Sequence, residues 1–143
     1  MTVSAILAEK GSGVITASNS SSVTQIINLL AEKKIGSVLI TDDSGSVCGI
    51  VSERDIVRDI AIEGPAALEA NVSNCMTAKV IFCTPHNTVS EVMAMMTENR
   101  FRHLPVMEDG KLLGLVSIGD VVKRKIQEAE KEADDMRSYI STV

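Results

Sequence analysis

The chain repeats itself. Residues 14–62 recur at 80–127 in register: Val14-Ile15 matches Val80-Ile81, Val23 matches Val89, Ile26 matches Val92, Leu30 matches Met96 and Ile35 matches Phe101, each pair 66 positions apart. Past the turn Asp42-Asp43-Ser44-Gly45, which faces Glu108-Asp109-Gly110, one residue is lost and the spacing becomes 65. Gly49-Ile50-Val51-Ser52 then matches Gly114-Leu115-Val116-Ser117, and Asp55 matches Asp120. A single slip confined to a turn is where a duplicated fold absorbs a change of length. A unit of roughly 60 residues buries too little of its surface to be more than marginal alone. The two copies are therefore expected to fold against each other about a pseudo-two-fold axis, and any cleft that axis creates comes in two versions.

The 143 residues fit one domain or two half-size units sharing a core. One Tyr, two Phe and no Trp leave the core to Val, Ile, Leu, Met and Ala, and they remove the aromatic platforms on which single-stranded bases stack. A net charge of −5 opposes non-specific binding to nucleic acid or anionic membranes. No apolar run approaches the ~20 residues of a membrane span. Met1-Thr2-Val3-Ser4-Ala5 lacks the basic start and long apolar stretch of a secretory signal, so the expected location is cytoplasmic. Cys48, Cys75 and Cys83 form no Cys-x-x-Cys pair and have no His at ligand spacing. They read as free thiols, with a redox or metal role as the alternative.

Each copy has the same local grammar. Ser20-Ser21-Ser22, and Thr88 in the second copy, are helix-start residues. Val23, Ile26, Ile27 and Leu30, and then Val89, Val92, Met93 and Met96, follow helical i, i+3, i+4, i+7 spacing. Ser37-Val38-Leu39-Ile40-Thr41, an acidic turn and Val47-Cys48-Gly49-Ile50-Val51 predict a hairpin, repeated around Glu108-Asp109-Gly110. Pro105 lacks a ladder donor and should lie at an edge or strand start. Ser52 with Asp55, and Ser117 with Asp120, are placed as capping boxes opening a further helix, the first running to about Ile62. A short extended piece, Val14-Ile15-Thr16 or Val80-Ile81-Phe82, begins each copy. The predicted class is α+β, with the order β-α-β-β-α twice. Glu63-Gly64-Pro65 breaks the chain between copies, and Gly49 and Gly114 are expected to serve strand geometry.

The motif Gly-h-h-Ser-x-x-Asp (h apolar), present twice after a hairpin within an internal duplication, resembles a tandem pair of cystathionine-β-synthase (CBS) domains, a Bateman module. The likeness covers about residues 5–130. Arg100-Phe101-Arg102-His103-Leu104-Pro105-Val106 through Ser117-Ile118-Gly119-Asp120 is similar to the small stand-alone members. The resemblance implies CBS domains at 5–64 and 73–130 and a helical extension at 131–143. It also implies two clefts for adenosine derivatives, a disc-like homodimer, a regulated partner protein and no catalysis.

The residue chemistry suits such a ligand. An ionised carboxylate accepts from both hydroxyls of a ribose diol, and charge-assisted bonds of this kind are about twice as strong as neutral ones. Asp55 and Asp120 fit that role at helix N-termini, which also favour anionic groups, and Ser52 and Ser117 add hydroxyls. Adenine needs an apolar slot edged by backbone groups. Carried over from the family, the Asp120 cleft would use Gly13, Val14 and Ile15 with Ile35, Gly36 and Ser37. The Asp55 cleft would use Lys79, Val80 and Ile81 with Phe101 and Leu104. Arg102 and His103 stand where relatives place phosphate-binding residues, whereas their counterparts Gly36 and Ser37 carry no charge. Arg54 in the first motif faces Gly119 in the second. The clefts are thus unequal. The Asp120 cleft with Arg102 and His103 is the favoured monophosphate site, and the Asp55 cleft with Arg54 either takes a second nucleotide or lets one large ligand reach further across.

AMP is the leading ligand, with ATP, ADP, NAD(H) and S-adenosylmethionine as alternatives. The competing readings are plain ones: helix caps for the Ser and Asp pairs, a solvated Arg102, a structural His103 and a local ion pair for Arg54. The competing function is a non-catalytic interaction dimer with vestigial clefts. From Val121 onward the chain reads as a charged helix with an a/d seam at Val122, Ile126, Ala129, Ala133, Met136 and Ile140. It lies either on its own module or against a second subunit.

Overall fold

Duplicated sequence becomes duplicated hydrogen bonding. The computed structural model describes residues 1–11 and 13–141. The chain divides into two compact units, one of Val14–Val80 and one of Met1–Gly13 with Ile81–Val143.

The continuous unit contains β1 (Thr16–Ser18), α2 (Val23–Lys33), β2 (Ser37–Thr41), β3 (Val47–Ser52) and α3 (Glu53–Glu63), with α1 (Val3–Lys10) belonging to the other unit; 3-10 turns follow at Gly64–Glu69 and Val72–Asn74. β1 runs parallel to β2 and β2 antiparallel to β3. Helix α2 starts because Ser22 and Gln25 satisfy each other's backbone N–H. It stops at Lys34, which turns left-handed at φ 55° and donates its N–H to Leu30 O. The apolar stripe Val23, Ile26 and Leu30 is buried on Val38, Ile40, Val51, Ile56 and Val72. In the hairpin turn, Asp42 Oδ1 accepts from Ser44 N, Ser44 Oγ and Ser46 N.

The discontinuous unit contains α1 (Val3–Lys10), α4 (Val89–Asn99), β4 (His103–Glu108), β5 (Lys111–Ser117) and α5 (Ile118–Ser141). Thr88 and Glu91 cap α4 as Ser22 and Gln25 cap α2, and Arg100 repeats the left-handed stop at φ 58°. The hairpins share a register shift at the equivalent places, Ile40/Thr41 and Val106/Met107. Val3, Val89, Val92, Met96, Leu104, Val106, Val116 and Val121 form this unit's core.

The copies differ at their first strand. In the first copy Leu39 N donates to Ile15 O, and β1 forms alongside. The second copy has Pro105 in place of Leu39 and no N–H to give. The extended piece expected at Val80-Ile81-Phe82 is accordingly no strand, and only a Cys83–Val106 bridge remains, in the register of Ala17–Ile40. Pro105 sits inside β4 rather than at its start. Its carbonyl accepts from Cys83 N on the side away from β5, so the missing donor lies on the outer edge of the hairpin ladder.

The lead-ins are exchanged. Val3 N donates to Asn87 O and Val89 N to Met1 O, while Val72 N donates to Ser21 O and Val23 N to Ala70 O. Thus α1, which precedes the first copy, packs with the second, and residues 70–76, which precede the second copy, pack with the first. A Cβ on Gly49 would collide with the Met76 side chain, and one on Gly114 with Leu7. These glycines therefore make room for the lead-ins, a reason beyond strand geometry. The helix that the Ser117 and Asp120 box is expected to open begins at Ile118, directly from β5, and runs without a break into the charged stretch from Val121 and the extension. The last two residues of that expected 131–143 segment lie outside the described residues.

Cys48, Cys75 and Cys83 are free. Burial pushes the Cys83 thiol up to about 11. Burial raises Cys75 as well, with Asp59 and Asp55 adding to it. A thiol with a raised folded pKa favours the native state below its unfolded pKa, and this contribution is lost as pH rises through the folded value. Urea midpoints measured between pH 8 and 11 should therefore fall more steeply for the native chain than for Cys83→Ala, and Cys83 should take up maleimide only at the rate of unfolding. Equal slopes, with fast labelling of Cys83, would contradict its burial.

Candidate functional site

In both copies a strand runs into a helix without a loop, and the Ser-x-x-Asp motif sits at the junction. Ser52 Oγ accepts from Asp55 N at 3.3 Å, while Asp55 Oδ2 accepts from Ser52 N at 2.9 Å and Ser52 Oγ at 3.0 Å. Ser117 and Asp120 repeat this at 3.2, 2.9 and 3.0 Å. The strand opposite holds the junction from behind: Gly36 O accepts from Glu53 N at 3.0 Å, and Arg102 O accepts from Ile118 N at 2.8 Å. Ser37 pairs with Ser52 across the hairpin, as His103 does with Ser117. Capping is thus an observed role of both motifs.

The motifs part company in what else reaches the carboxylate. Arg58 Nη2 donates to Asp55 Oδ1 at 2.7 Å. At the second motif Lys10 Nζ, from the end of α1, donates to Asp120 Oδ2 at 2.6 Å and to Leu115 O at 2.8 Å. Among the described residues Asp120 Oδ1 accepts no hydrogen bond. Asp120 faces a hollow of about 350 Å³ shared with Glu9, Lys10, Lys123, Arg124 and Gln127. Arg124 Nη2 donates to Glu9 Oε2 at 2.6 Å and to Ala5 O at 3.1 Å, and Lys123 Nζ reaches Glu9 Oε1 at 3.3 Å.

Burial is the largest single influence on the Asp120 carboxyl and acts to raise its pKa. The Lys10 hydrogen bond, the Ser117 N–H, the Lys10 charge and the Ser117 hydroxyl together outweigh it, and the pKa lies below the ordinary value. The result is a carboxylate ionised at neutral pH that lines a hollow together with the cations Lys10, Lys123 and Arg124 and the acid Glu9. Such a site can accept from hydroxyl groups and face an anionic substituent.

The other expected site residues divide between the units. Val14, Ile15, Ile35, Gly36, Ser37, Arg54, Lys79 and Val80 lie with Asp55, while Gly13, Ile81, Phe101, Arg102, His103 and Leu104 lie with Asp120. Ser37 and Leu104 are buried, at 4% and 1% exposure. Phe101 and Ile81 pack against the core of their unit, and Ile35 against the other. Arg54 is exposed, and it is Arg58 that binds Asp55. Arg102 lines a different hollow from Asp120, beside Ile118, Gly119 and Val122.

Sequence reasoning missed Lys10, Glu9, Lys123 and Arg124. Lys10 is 110 residues from Asp120 and carries no local signal of the pairing. Arg58 was missed as well, although its i+3 spacing from Asp55 on a helix is the signal that points to it. Among the described residues no group of His, Cys, Asp and Glu is placed to hold a metal, and no helix is long and apolar enough to cross a membrane.

Comparison with known proteins agrees with the duplicated architecture. Residues 10–62 and 72–126 both match the CBS domain family. The chain is 30% identical to CBS domain-containing protein CBSX3, mitochondrial, of Arabidopsis thaliana, over 97% of this chain and 71% of that protein. It spans about a quarter of the length of CBSCBSPB2 from the same plant, at 32% identity over 92% of this chain. Its fold superposes on the crystal structure of the CBS-domain containing protein ATU1752 from Agrobacterium tumefaciens with a TM-score of 0.84 and 43% identity, covering 87% of this chain and 92% of that one. The CBS domain pair of protein MJ0100, in complex with 5′-methylthioadenosine and S-adenosylmethionine, is similar in fold with a TM-score of 0.78 at 23% identity, covering 90% of this chain and 98% of that one. A family match in both copies, on a chain whose two units repeat the same caps, register shifts and Ser-x-x-Asp junctions, shows that this protein belongs to the CBS-domain family as a tandem pair.

Proposed function

We propose that the chain is a non-catalytic regulatory module that binds an adenosine nucleotide, AMP first, and conveys its occupancy to a partner protein as a homodimer. The observation that carries this reading is Asp120: an ionised carboxylate at a helix N-terminus whose Oδ1 accepts no hydrogen bond among the described residues, with Lys10, Lys123 and Arg124 nearby. A ribose diol donates to Oδ1, and the cations together with the helix N-terminus balance a phosphate. Ser117 holds the carboxylate in place. Arg102 lines the neighbouring hollow, which shares Lys123 and Gln127 with that of Asp120, and with His103 would serve the phosphate from that side, while Asp55 with Arg54 and Arg58 forms the weaker second site. Binding of adenosine compounds by the MJ0100 pair supports the reading at the level of fold. Ligand would act by shifting a population between two arrangements that the partner distinguishes.

One observation favours a second reading. Both carboxylates already cap helices, which is what a vestigial site in an interaction protein would retain. A thermal-shift panel with AMP, ADP, ATP, NAD, NADH and S-adenosylmethionine separates the two. A ligand at 100 times its dissociation constant adds about 2.7 kcal/mol to stability. A selective rise supports the sensor and names its ligand, whereas a flat panel favours the interaction protein.

A further inference from the structure

Helix α5 outruns the unit it starts in. Its first turns are anchored: Val121 is fully buried, Arg124 holds Glu9 and Ala5, and Glu128 lies 3.4 Å from the amino terminus. From Ala129 to Ser141 every residue is exposed, including Met136 at 66% and Ile140 at 68%. A helical segment of this length is marginal in water without a packed face.

The uncovered face is a continuous seam. Val122, Ile126, Ala129, Ala133, Met136 and Ile140 step by 4, 3, 4, 3, 4, with Ile126, Ala133 and Ile140 at heptad position a and Val122, Ala129 and Met136 at d. Val122 and Ile126 are 43% and 53% exposed, and a hollow of about 580 Å³ lined by Ile118, Gly119, Val122 and Ile126 carries the seam back to the helix start. Ile126 and Ile140 place β-branched residues at two of the three a positions, as in two-stranded parallel pairs, and the central Ala129 and Ala133 are small.

The charges beside the seam select the partner and its direction. Positions e are Lys123, Glu130 and Arg137, and positions g are Lys125, Glu132 and Tyr139. In a parallel, in-register pair each g faces the following e of the other helix. Lys125 then meets Glu130, and Glu132 meets Arg137, each twice by symmetry. Antiparallel pairing with the layers aligned sets Glu130 against Glu130, Glu132 against Glu132 and Lys123 against Arg137, all repulsive. Lys125 and Arg137 now pair within the helix, with Glu128 at 3.6 Å and Asp134 at 3.2 Å. Such i,i+3 surface pairs are weak enough to be exchanged.

We propose that this seam docks on the same seam of a second copy of the chain, parallel and in register, as a short two-stranded coiled coil. The inference is independent of any nucleotide. The full chain carrying Ile140→Cys is oxidised mildly and its disulfides are mapped by mass spectrometry, with the unsubstituted chain as control for Cys48, Cys75 and Cys83. The expected product is a 140–140 link. Adding Glu132→Arg should slow that link about tenfold, since attractive pairs become repulsive, and adding Arg137→Glu to that variant should restore the rate. Absence of a 140–140 link, a 122–140 link in Val122→Cys/Ile140→Cys formed in preference to it, or indifference to the charge exchange would each overturn the proposal.

Discussion

If the proposed function holds, Asp120→Ala should weaken binding of the responding adenosine nucleotide about a hundredfold, because two charge-assisted hydrogen bonds to the ribose would be lost at roughly 1.5 kcal/mol each. Asp55→Ala has a smaller effect, because Arg58 already occupies Asp55 Oδ1. Calorimetric titration of folded protein well below its melting temperature reads the affinity separately from stability. Stability falls too, by about 1–2 kcal/mol, since the cap to Ser117 and the partner of Lys10 disappear. Asp120→Asn keeps the size but not the charge and should bind nearly as poorly. The sign with pH follows from the lowered pKa. The contribution of Asp120 is present above its unfolded value and is lost as pH falls through the lower folded value, so the stability gap between native and Asp120→Asn should close in acid. A dissociation constant unchanged by Asp120→Ala would sink the assignment of this carboxylate.

Leu104→Ala costs about 2–5 kcal/mol, the range for truncating a fully buried leucine. Leu104 is 1% exposed, pairs with Val116 across β4 and β5, and shares its core with Val92 and Met96. Against the 5–15 kcal/mol of a typical domain, this is a large fraction of total stability. Urea unfolding measures it directly. Nucleotide affinity per folded molecule should stay near native. A loss below about 0.5 kcal/mol, the scale of surface changes, would place the side chain on an accessible surface instead.

What the sequence made legible was local or repeated. The Ser22 and Thr88 caps, the hairpins and the Ser-x-x-Asp junctions each depend on residues within a few positions, and duplication supplied a second reading of each. The missing first strand of the second copy could also have been read from Pro105, since the missing donor is a property of that residue alone. Three features were not legible, and all depend on distant partners. The lead-in exchange is written in backbone hydrogen bonds between residues such as Val3 and Asn87, which leave no trace in side-chain pattern. The Lys10–Asp120 pair joins opposite ends of the chain. Leu104 and Ser37 were assigned to ligand slots on family position, and burial depends on neighbours that position alone does not name.

The exchange of lead-ins bears on how the chain is made. One unit, Val14–Val80, is an unbroken stretch, including the 70–76 segment that completes it. It can close as soon as that stretch has left the ribosome, in keeping with domains folding during synthesis from the amino end. Met1–Gly13 emerges earlier still, yet its partners Asn87, Leu115, Asp120 and Arg124 come last. Residues 1–13 are therefore made before the Val14–Val80 unit and seated after it. Until then α1 exposes Val3 and Ile6, which are buried in the finished protein, so the nascent chain carries an apolar segment in waiting until residues 87–124 have been made.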